Sequence, residues 1–166
     1  LKVVKRRWYV VARSPYYSER NKEKGIKPAD VYRVYALDRI SDIQDTGRTF
    51  KMKKNFDVNQ YFEGCCGVIT SDEPIQRIVL LAYGGFADYL RTLPLHESQR
   101  EIEGDDESTL FEYHLKPTFD FYQLVLAQGD QVEVLEPESV RNEMRNFAKN
   151  MLDYYTWKEE DKPCKE

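Results

Sequence analysis

Two short segments in which arginines are interspersed with β-branched and aromatic residues constrain the fold of this chain most. They are residues 6–13, Arg-Arg-Trp-Tyr-Val-Val-Ala-Arg, and residues 32–40, Tyr-Arg-Val-Tyr-Ala-Leu-Asp-Arg-Ile. This composition favours strands, because branched and aromatic side chains pack well on a pleated surface. If the two strands pair, one face presents guanidinium groups and rings. Such a face suits planar anions, since arginine binds phosphate bidentately and rings stack on bases.

The two-residue period of a strand gives the first segment, predicted as one strand over residues 2–13, two different faces. One face carries Trp8, Val10 and Ala12, and the other carries Tyr9, Val11 and Arg13. Because aromatic residues on strands more often belong to a core, we interpret Trp8 as a core residue. Tyr9 is equally compatible with a core position and with a ligand site.

The second predicted strand, residues 31–37, runs on into Asp38, Arg39 and Ile40. If it is regular, Arg33 and Arg39 share a face, because six residues is an even separation. Either both line an anion site, or Arg39 pairs with Asp38 or Asp42 as a structural brace. Residues 14–30 between the strands are polar and contain Pro and Gly, so we predict a mobile basic hairpin loop.

Charge is divided unequally along the chain. Residues 1–54 hold 15 Lys and Arg against 6 Asp and Glu, whereas the remainder holds 10 against 23. A basic first part attracts polyanions. No apolar run approaches the roughly 18 residues of a membrane span, and Cys65, Cys66 and Cys164 form no CxxC pair. We therefore expect a soluble cytoplasmic protein with reduced thiols and no membrane partner.

The fold class expected from these patterns is β followed by α+β. Short strands without an intervening helix, a short third strand near residues 49–52 and a brief helix over residues 55–62 predict a small β-barrel over residues 1–68. Residues 75–157 predict strands at 76–83, 98–102, 109–115 and 131–135, and helices at 86–92 and 118–127. This is the β-α-β-β-α-β order of a ferredoxin-like unit.

An amphipathic helix is predicted over residues 137–155, followed by a polar tail over residues 158–166. Its apolar stripe contains Val140, Met144, Phe147, Met151 and Tyr154/Tyr155. The preceding helix is predicted to bury Phe119, Tyr122 and Leu126, which recur at helical spacing. Apolar side chains at the end of the last helix suit a dimer contact.

Catalytic chemistry finds little support in the sequence. His96 and His114 are the only histidines, and neither stands in a metal-ligand spacing. Ser98 is a near neighbour of His96 on an extended segment, which is not the arrangement of a catalytic triad. The acidic residues 101–107 lack the ligand spacing of a calcium loop. We expect no catalytic residues, no metal and no cofactor.

Four motifs together resemble the WYL-domain family of bacterial transcriptional regulators. Trp8-Tyr9-Val10 is followed by Arg33-x-Tyr35-x-Leu37-Asp38-Arg39-Ile40, where the family has Trp-Tyr-Leu and Arg-x-Phe-x-Leu-Asp-Arg-Ile. Residues 94–99, Pro-Leu-His-Glu-Ser-Gln, and residues 134–141, Val-Leu-Glu-Pro-Glu-Ser-Val-Arg, are similar to the family's C-terminal extension. The connection over residues 14–30 is longer than is usual in the family.

The resemblance implies an Sm-like or SH3-type barrel followed by the extension. It implies that the first barrel strands and a DNA-binding helix-turn-helix lie upstream of Leu1. It also implies that the barrel senses a nucleic-acid fragment or a nucleotide-like anion. The motif positions predicted to bind the ligand are Tyr9, Arg33 and Arg39, and we add the nearby cations Arg7 and Arg13. The motif positions predicted to be structural are Trp8, Tyr35, Leu37 and Asp38.

The sequence therefore predicts the non-enzymatic, ligand-sensing part of a transcriptional regulator. It would bind single-stranded nucleic acid or a nucleotide-like ligand, relay this to a DNA-binding domain, and form a homodimer. The alternative is a scaffold whose extension mediates oligomerisation and whose barrel binds no ligand.

Overall fold

The computed structural model describes residues 1–26, 31–49 and 56–156, which form two compact units. The first unit comprises residues 1–62 and 67–69, and the second comprises residues 63–66 and those from Thr70 onward. In the described part, each unit has its own antiparallel sheet, and five α-helices accompany the two sheets. The predicted mixture of β and α+β structure is confirmed in this coarse form.

The sheet of the first unit has three strands in the order β1-β2-β3: β1 Lys2–Val4, β2 Arg7–Arg13 and β3 Tyr32–Ala36. The single strand predicted over residues 2–13 is wrong, because Lys5 and Arg6 make a two-residue hairpin turn. Both have positive φ, 48° and 65°, as a type I′ turn requires. Asn-Gly or Asp-Gly normally signals such a turn, so Lys-Arg concealed it.

A helix, α1 Pro15–Glu23, occupies the connection that we predict as a polar loop, so that prediction is wrong. Proline is favourable near the helix start, because its fixed φ suits the helix and its missing N–H would have had no partner there. Ser18 is fully buried, and its hydroxyl accepts a hydrogen bond from the Val31 N–H at 3.0 Å. This hydrogen bond ties α1 to the start of β3. Residues 27–30 lie outside the described residues.

One turn of 3₁₀ helix, Leu37–Arg39, follows β3 directly. The prediction that Arg33 and Arg39 share a strand face is therefore wrong, because the 3₁₀ turn interrupts the two-residue alternation. The short helix α2 Val58–Tyr61 begins at Asp57, whose carboxylate accepts a hydrogen bond from the Asn59 N–H. This confirms the brief helix predicted over residues 55–62, within the part that is described.

The barrel itself stays a prediction. The strand predicted near residues 49–52 lies almost wholly outside the described residues, and the three strands that are described form an open sheet.

The second unit contains a four-stranded antiparallel sheet in the order β5-β6-β4-β7. Its strands are β4 Gln76–Tyr83, β5 Arg100–Gly104, β6 Ser108–Leu115 and β7 Val132–Glu136. Its helices are α3 Phe86–Thr92, α4 Phe119–Leu126 and α5 Glu138–Thr156. This succession agrees with the predicted β-α-β-β-α-β order and the helix that follows it.

The core of the second unit lies between one face of this sheet and its helices. Alternate residues of the central strands are fully buried, among them Ile78 and Leu80 of β4 and Phe111 and Tyr113 of β6. Each such side chain contributes about 1.5–3 kcal/mol by leaving water. The two-residue period of these strands is therefore what assembles the core.

The buried stripe of α4 differs from the predicted one. Phe121 and Val125, four residues apart, are buried, whereas Phe119 is 51% exposed. The helix is apolar on almost every side, so the sequence pattern could not fix its rotation about its axis.

The stripe of α5 packs only along the first half of the helix. Val140 is buried, and the Phe147 ring lies 5.5 Å from the Tyr122 ring of α4. Near the end of the helix the apolar side chains are 46% to 85% exposed: Met151, Leu152, Tyr154 and Tyr155.

A matched pair of substitutions on α4 tests this packing. Phe121→Ala should lower the free energy of unfolding by about 3–5 kcal/mol, because it leaves a cavity in the core. Phe119→Ala, at a half-exposed position whose ring lies 6.4 Å from the Phe147 ring, should cost clearly less, about 1 kcal/mol. Urea denaturation followed by circular dichroism measures both, and equal losses would contradict the assigned rotation of α4.

Candidate functional site

A depression of about 310 Å³ lies at the turn end of the β1–β2 hairpin. It is lined by Arg6, Arg7, Trp8, Leu37 and Asp38. Trp8 is 54% exposed, so its interpretation as a core residue is wrong. The depression combines an indole on which a planar ring can stack with two guanidinium groups that can bind an anion.

An ion pair between Arg7 and Asp38 lies at this depression. The guanidinium and carboxylate approach to 3.3 Å, and both side chains are about half exposed. Exposed pairs of this kind contribute only about 0–1 kcal/mol. An incoming anion can therefore displace Asp38 from Arg7 at little cost. In the described part of the chain, no ion pair joins Arg39 to Asp38 or Asp42.

The strand register separates the predicted ligand-binding residues onto two faces of the sheet. Tyr9 lies opposite Ala36 and Arg13 lies opposite Tyr32, whereas Arg33 lies opposite Ala12. Directly opposed residues point to the same face, and neighbours along a strand alternate. Tyr9 and Arg13 therefore do not converge with Arg33. The binding roles of Tyr9, Arg13 and Arg39 stay predictions.

The face that carries Tyr9 is the more enclosed of the two. Ala36 is buried, and the Lys2 ammonium lies 3.7 Å from the centre of the Phe62 ring. On the same face, the Tyr32 ring stacks on the Phe56 ring at 4.4 Å. These contacts favour a packing role for this face.

The opposite face presents rings and a cation. Trp8, Tyr35 and Arg33 all belong to it and are exposed. The Arg33 guanidinium lies 4.3 Å from the centre of the Tyr17 ring of α1. Such a cation–π contact is worth about 0.5–1 kcal/mol at an exposed site. It orients the Arg33 side chain and leaves its N–H groups free for an anion.

Sequence reasoning missed two residues of this surface. The sequence predicts an unbroken strand at Arg6 and a loop at Tyr17. Pro15 directly after Ser14 is a helix-start signal that could have placed Tyr17 on a helix. No sequence signal marks the turn at Arg6.

His96 and Ser98 form a close side-chain contact in the second unit. Nδ1 of His96 lies 2.8 Å from Ser98 Oγ and accepts a hydrogen bond from the Ser98 N–H at 3.2 Å. Nδ1 therefore carries no proton, and the Ser98 hydroxyl donates to it. That hydroxyl also accepts a hydrogen bond from the His114 N–H at 2.9 Å. Burial lowers the pKa of His96, although Glu97 acts in the opposite direction.

Gln99 completes this network with both ends of its amide. Its Oε1 accepts hydrogen bonds from the Leu95 N–H at 3.1 Å and the Tyr113 hydroxyl at 2.8 Å. Its Nε2 donates to the Leu90 carbonyl at 2.7 Å. Residues 95–99 are thereby fixed to α3 and β6. His96, Ser98 and Gln99 therefore act as a structural clasp, which is a set of hydrogen bonds that holds this segment in place. The absence of enzymatic activity stays a prediction.

The acidic residues 101–107 lie along β5 and in the turn that joins it to β6. Asp105 accepts hydrogen bonds from the Glu107 and Ser108 N–H groups, which hold its pKa below the usual value. Glu101 forms a bidentate pair with Arg91. Within residues 1–26, 31–49 and 56–156, no group of three His, Cys, Asp or Glu is placed to hold a metal ion.

Cys65 and Cys66 are both reduced cysteines, and the Cys65 thiol donates a hydrogen bond to the Glu63 carbonyl at 3.8 Å. Burial, with smaller effects of Asp120 and Cys65, raises the pKa of Cys66 to about 12, so this thiol stays protonated and unreactive. No helix in the described residues is both long and apolar enough to cross a membrane.

The protein has a mixed α/β structure with two antiparallel sheets. One sheet bears the basic depression beside Trp8, and the other carries a layer of helices. Residues 74–152 match the family model of the WCX domain. The WCX domain is associated with WYL-type regulators, so this match supports the predicted relationship for residues 74–152. The chain matches no curated protein. The family of the first unit stays a prediction.

The His96 network predicts a pH dependence of stability. The native pKa lies below the unfolded value of 6.5, so the unfolded chain takes up the proton first as the pH falls. Stability should be complete above the unfolded pKa and decline as the pH drops below it. His96→Asn, which retains an acceptor that does not titrate, should lose less stability than wild type between pH 7.5 and 5.5. Parallel urea-unfolding results for the two proteins would contradict this assignment.

Proposed function

We propose that this chain is the ligand-sensing part of a bacterial transcriptional regulator and acts in the cytoplasm without catalysis. Its first unit binds a nucleic-acid fragment or a nucleotide-like anion, and ligand binding is relayed to a DNA-binding domain. The WCX domain over residues 74–152 supports the regulatory class. The strand order β5-β6-β4-β7 supports a ferredoxin-like assignment of the second unit, and an Sm-like barrel is proposed for the first.

The observation that carries the ligand class is the exposed Trp8 ring beside Arg6 and Arg7. Stacking of one base on an aromatic ring is worth about 1–3 kcal/mol. Guanidinium–phosphate hydrogen bonds are charge-assisted and roughly twice as strong as neutral ones. A nucleotide satisfies both requirements, because it joins a planar base to an anion.

The alternative function is a scaffold that only assembles copies of the chain. The exposed apolar residues at the end of α5, from Met151 to Tyr155, favour association through this helix. Association is also part of the proposed regulator, which we expect to be a homodimer. Ligand binding by the first unit is therefore what separates the two functions.

Trp8 fluorescence measures binding directly. The chain has two tryptophans, so Trp157→Phe leaves Trp8 as the only indole. Mononucleotides and short single-stranded DNA should quench it saturably. For DNA, affinity should fall with salt at a log-log slope of about 0.7 per neutralised phosphate. Arg6→Ala, Arg7→Ala and the double variant Arg33→Ala/Arg39→Ala should each weaken binding.

Arg145→Ala on α5 is the matched control and should bind as wild type does. Absence of saturable quenching would exclude the proposed site and favour the scaffold. Equal binding by the Arg6→Ala and Arg7→Ala variants would exclude the depression as the site.

Asp38→Asn supplies a test in the opposite direction. The substitution removes the carboxylate that competes with a ligand anion for Arg7, so affinity should rise about two- to fivefold, in line with the small energy of an exposed ion pair. The same fluorescence titration measures it. Weaker binding by Asp38→Asn would mean that Asp38 supports the site instead of competing with its ligand.

A further inference from the structure

Resting on the proposed function, we propose that the Trp8 face of the three-stranded sheet is a track for an extended single strand. Three consecutive nucleotides occupy it: one on Trp8, one on Tyr35 and one on the Arg33–Tyr17 pair. The third position depends on α1, because Tyr17 belongs to this helix.

The register sets the three positions in line. Tyr35 lies opposite Val10, and Arg33 lies opposite Ala12. Each pair of opposed residues on this face defines one level across the sheet. Trp8 precedes Val10 by two residues on β2, so it lies one level beyond the Val10–Tyr35 pair. Arg33, Tyr35 and Trp8 thus occupy three successive levels of one face, each two residues from the next along the strands.

Each level offers a planar platform. Trp8 is 54% exposed and Tyr35 is 39% exposed, whereas Val10 and Ala12 are half-buried and form the floor between them. At the third level the Arg33 guanidinium is held 4.3 Å from the Tyr17 ring, which is itself 37% exposed. A guanidinium plane stacks on bases as an aromatic ring does, and its N–H groups can still reach a phosphate.

The spacing selects the conformation of the nucleic acid. Two residues along a strand span roughly 6.4–6.8 Å, whereas one nucleotide of a duplex strand advances only about 3.4 Å. A stacked duplex therefore cannot place successive bases on successive levels. An unstacked single strand can extend to this spacing, and its splayed bases are free to lie against the three platforms.

Positive charge lies at both ends of this track. Arg6 and Arg7 flank Trp8, and Arg33 marks the other end. The single strand can therefore keep its phosphates near cations at the first and last positions while its bases contact the sheet. The Arg7–Asp38 pair reduces the positive charge at the Trp8 end, which disfavours ligands that concentrate several negative charges there.

A length series tests the track. Unlabelled oligothymidylates of one to six nucleotides compete with a fluorescein-labelled six-nucleotide strand in an anisotropy assay on the full chain. Affinity should rise at least about fivefold with each nucleotide from one to three, in line with the stacking of single bases. It should then rise only slightly. A six-base-pair duplex should bind no better than a mononucleotide.

Two variants locate the second and third positions. Tyr35→Ala and Tyr17→Ala should each reduce affinity for the trinucleotide at least about fivefold and leave mononucleotide affinity unchanged. Tyr35→Phe, which keeps the ring, should bind as wild type does and guards against a loss caused by misfolding. Tyr89→Ala, an exposed tyrosine of the second unit, is the matched control.

The outcomes separate the two proposals. If a mononucleotide binds but longer strands gain nothing, or if the variants do not affect the trinucleotide, the track is wrong and the proposed function stands. If neither mononucleotides nor longer strands bind, the track and the proposed function both fail.

Discussion

The antiparallel register between β2 and β3 decides what the basic surface of this protein can bind. Because Val10 faces Tyr35 and Ala12 faces Arg33, the rings and the guanidinium group lie on one side and Tyr9 lies on the other. A slip of one residue would exchange the two faces completely. The tight turn at Lys5 and Arg6 adds β1 to the same sheet and sets Arg6 and Arg7 beside Trp8. The pairing of the backbones therefore determines which side chains share the surface and, with them, which ligands the surface can bind.

The second unit depends on a different constraint, which is the satisfaction of buried polar groups. Tyr113 is completely buried, and its hydroxyl would cost about 1–3 kcal/mol without a partner. Gln99 supplies that partner and also binds the backbone of two neighbouring segments. The Ser98 hydroxyl, held in place by His96, accepts a further hydrogen bond from the more exposed His114 N–H. These hydrogen bonds explain the polar motif at residues 95–99 as a clasp that joins this segment to its neighbours in the second unit.

The sequence predicted the second unit better than the first, and the reason is physical. The alternating apolar residues of β4 and β6 and the glycines near the turns define strands by strong, local signals. In the first unit, a type I′ turn is formed by Lys and Arg instead of Asn and Gly, and α1 is anchored by the Ser18 hydroxyl instead of an apolar stripe. Arg7 and Arg33 could be identified as surface cations from composition. The exposure of Trp8 and the contact of Tyr17 with Arg33 could not, because both depend on tertiary placement.

A sensing site must also distinguish its free state from its bound state, since a ligand shifts an equilibrium only through contacts that differ between the two states. In the proposed site, Asp38 is a group that meets this requirement. In the free protein it pairs with Arg7, and a bound anion would take its place. Asp38 belongs to the single 3₁₀ turn Leu37–Arg39, which is closed by a hydrogen bond from the Ile40 N–H to the Leu37 carbonyl at 3.2 Å. This turn is short and exposed, so it is the element of the first unit best suited to rearrange when its carboxylate is released.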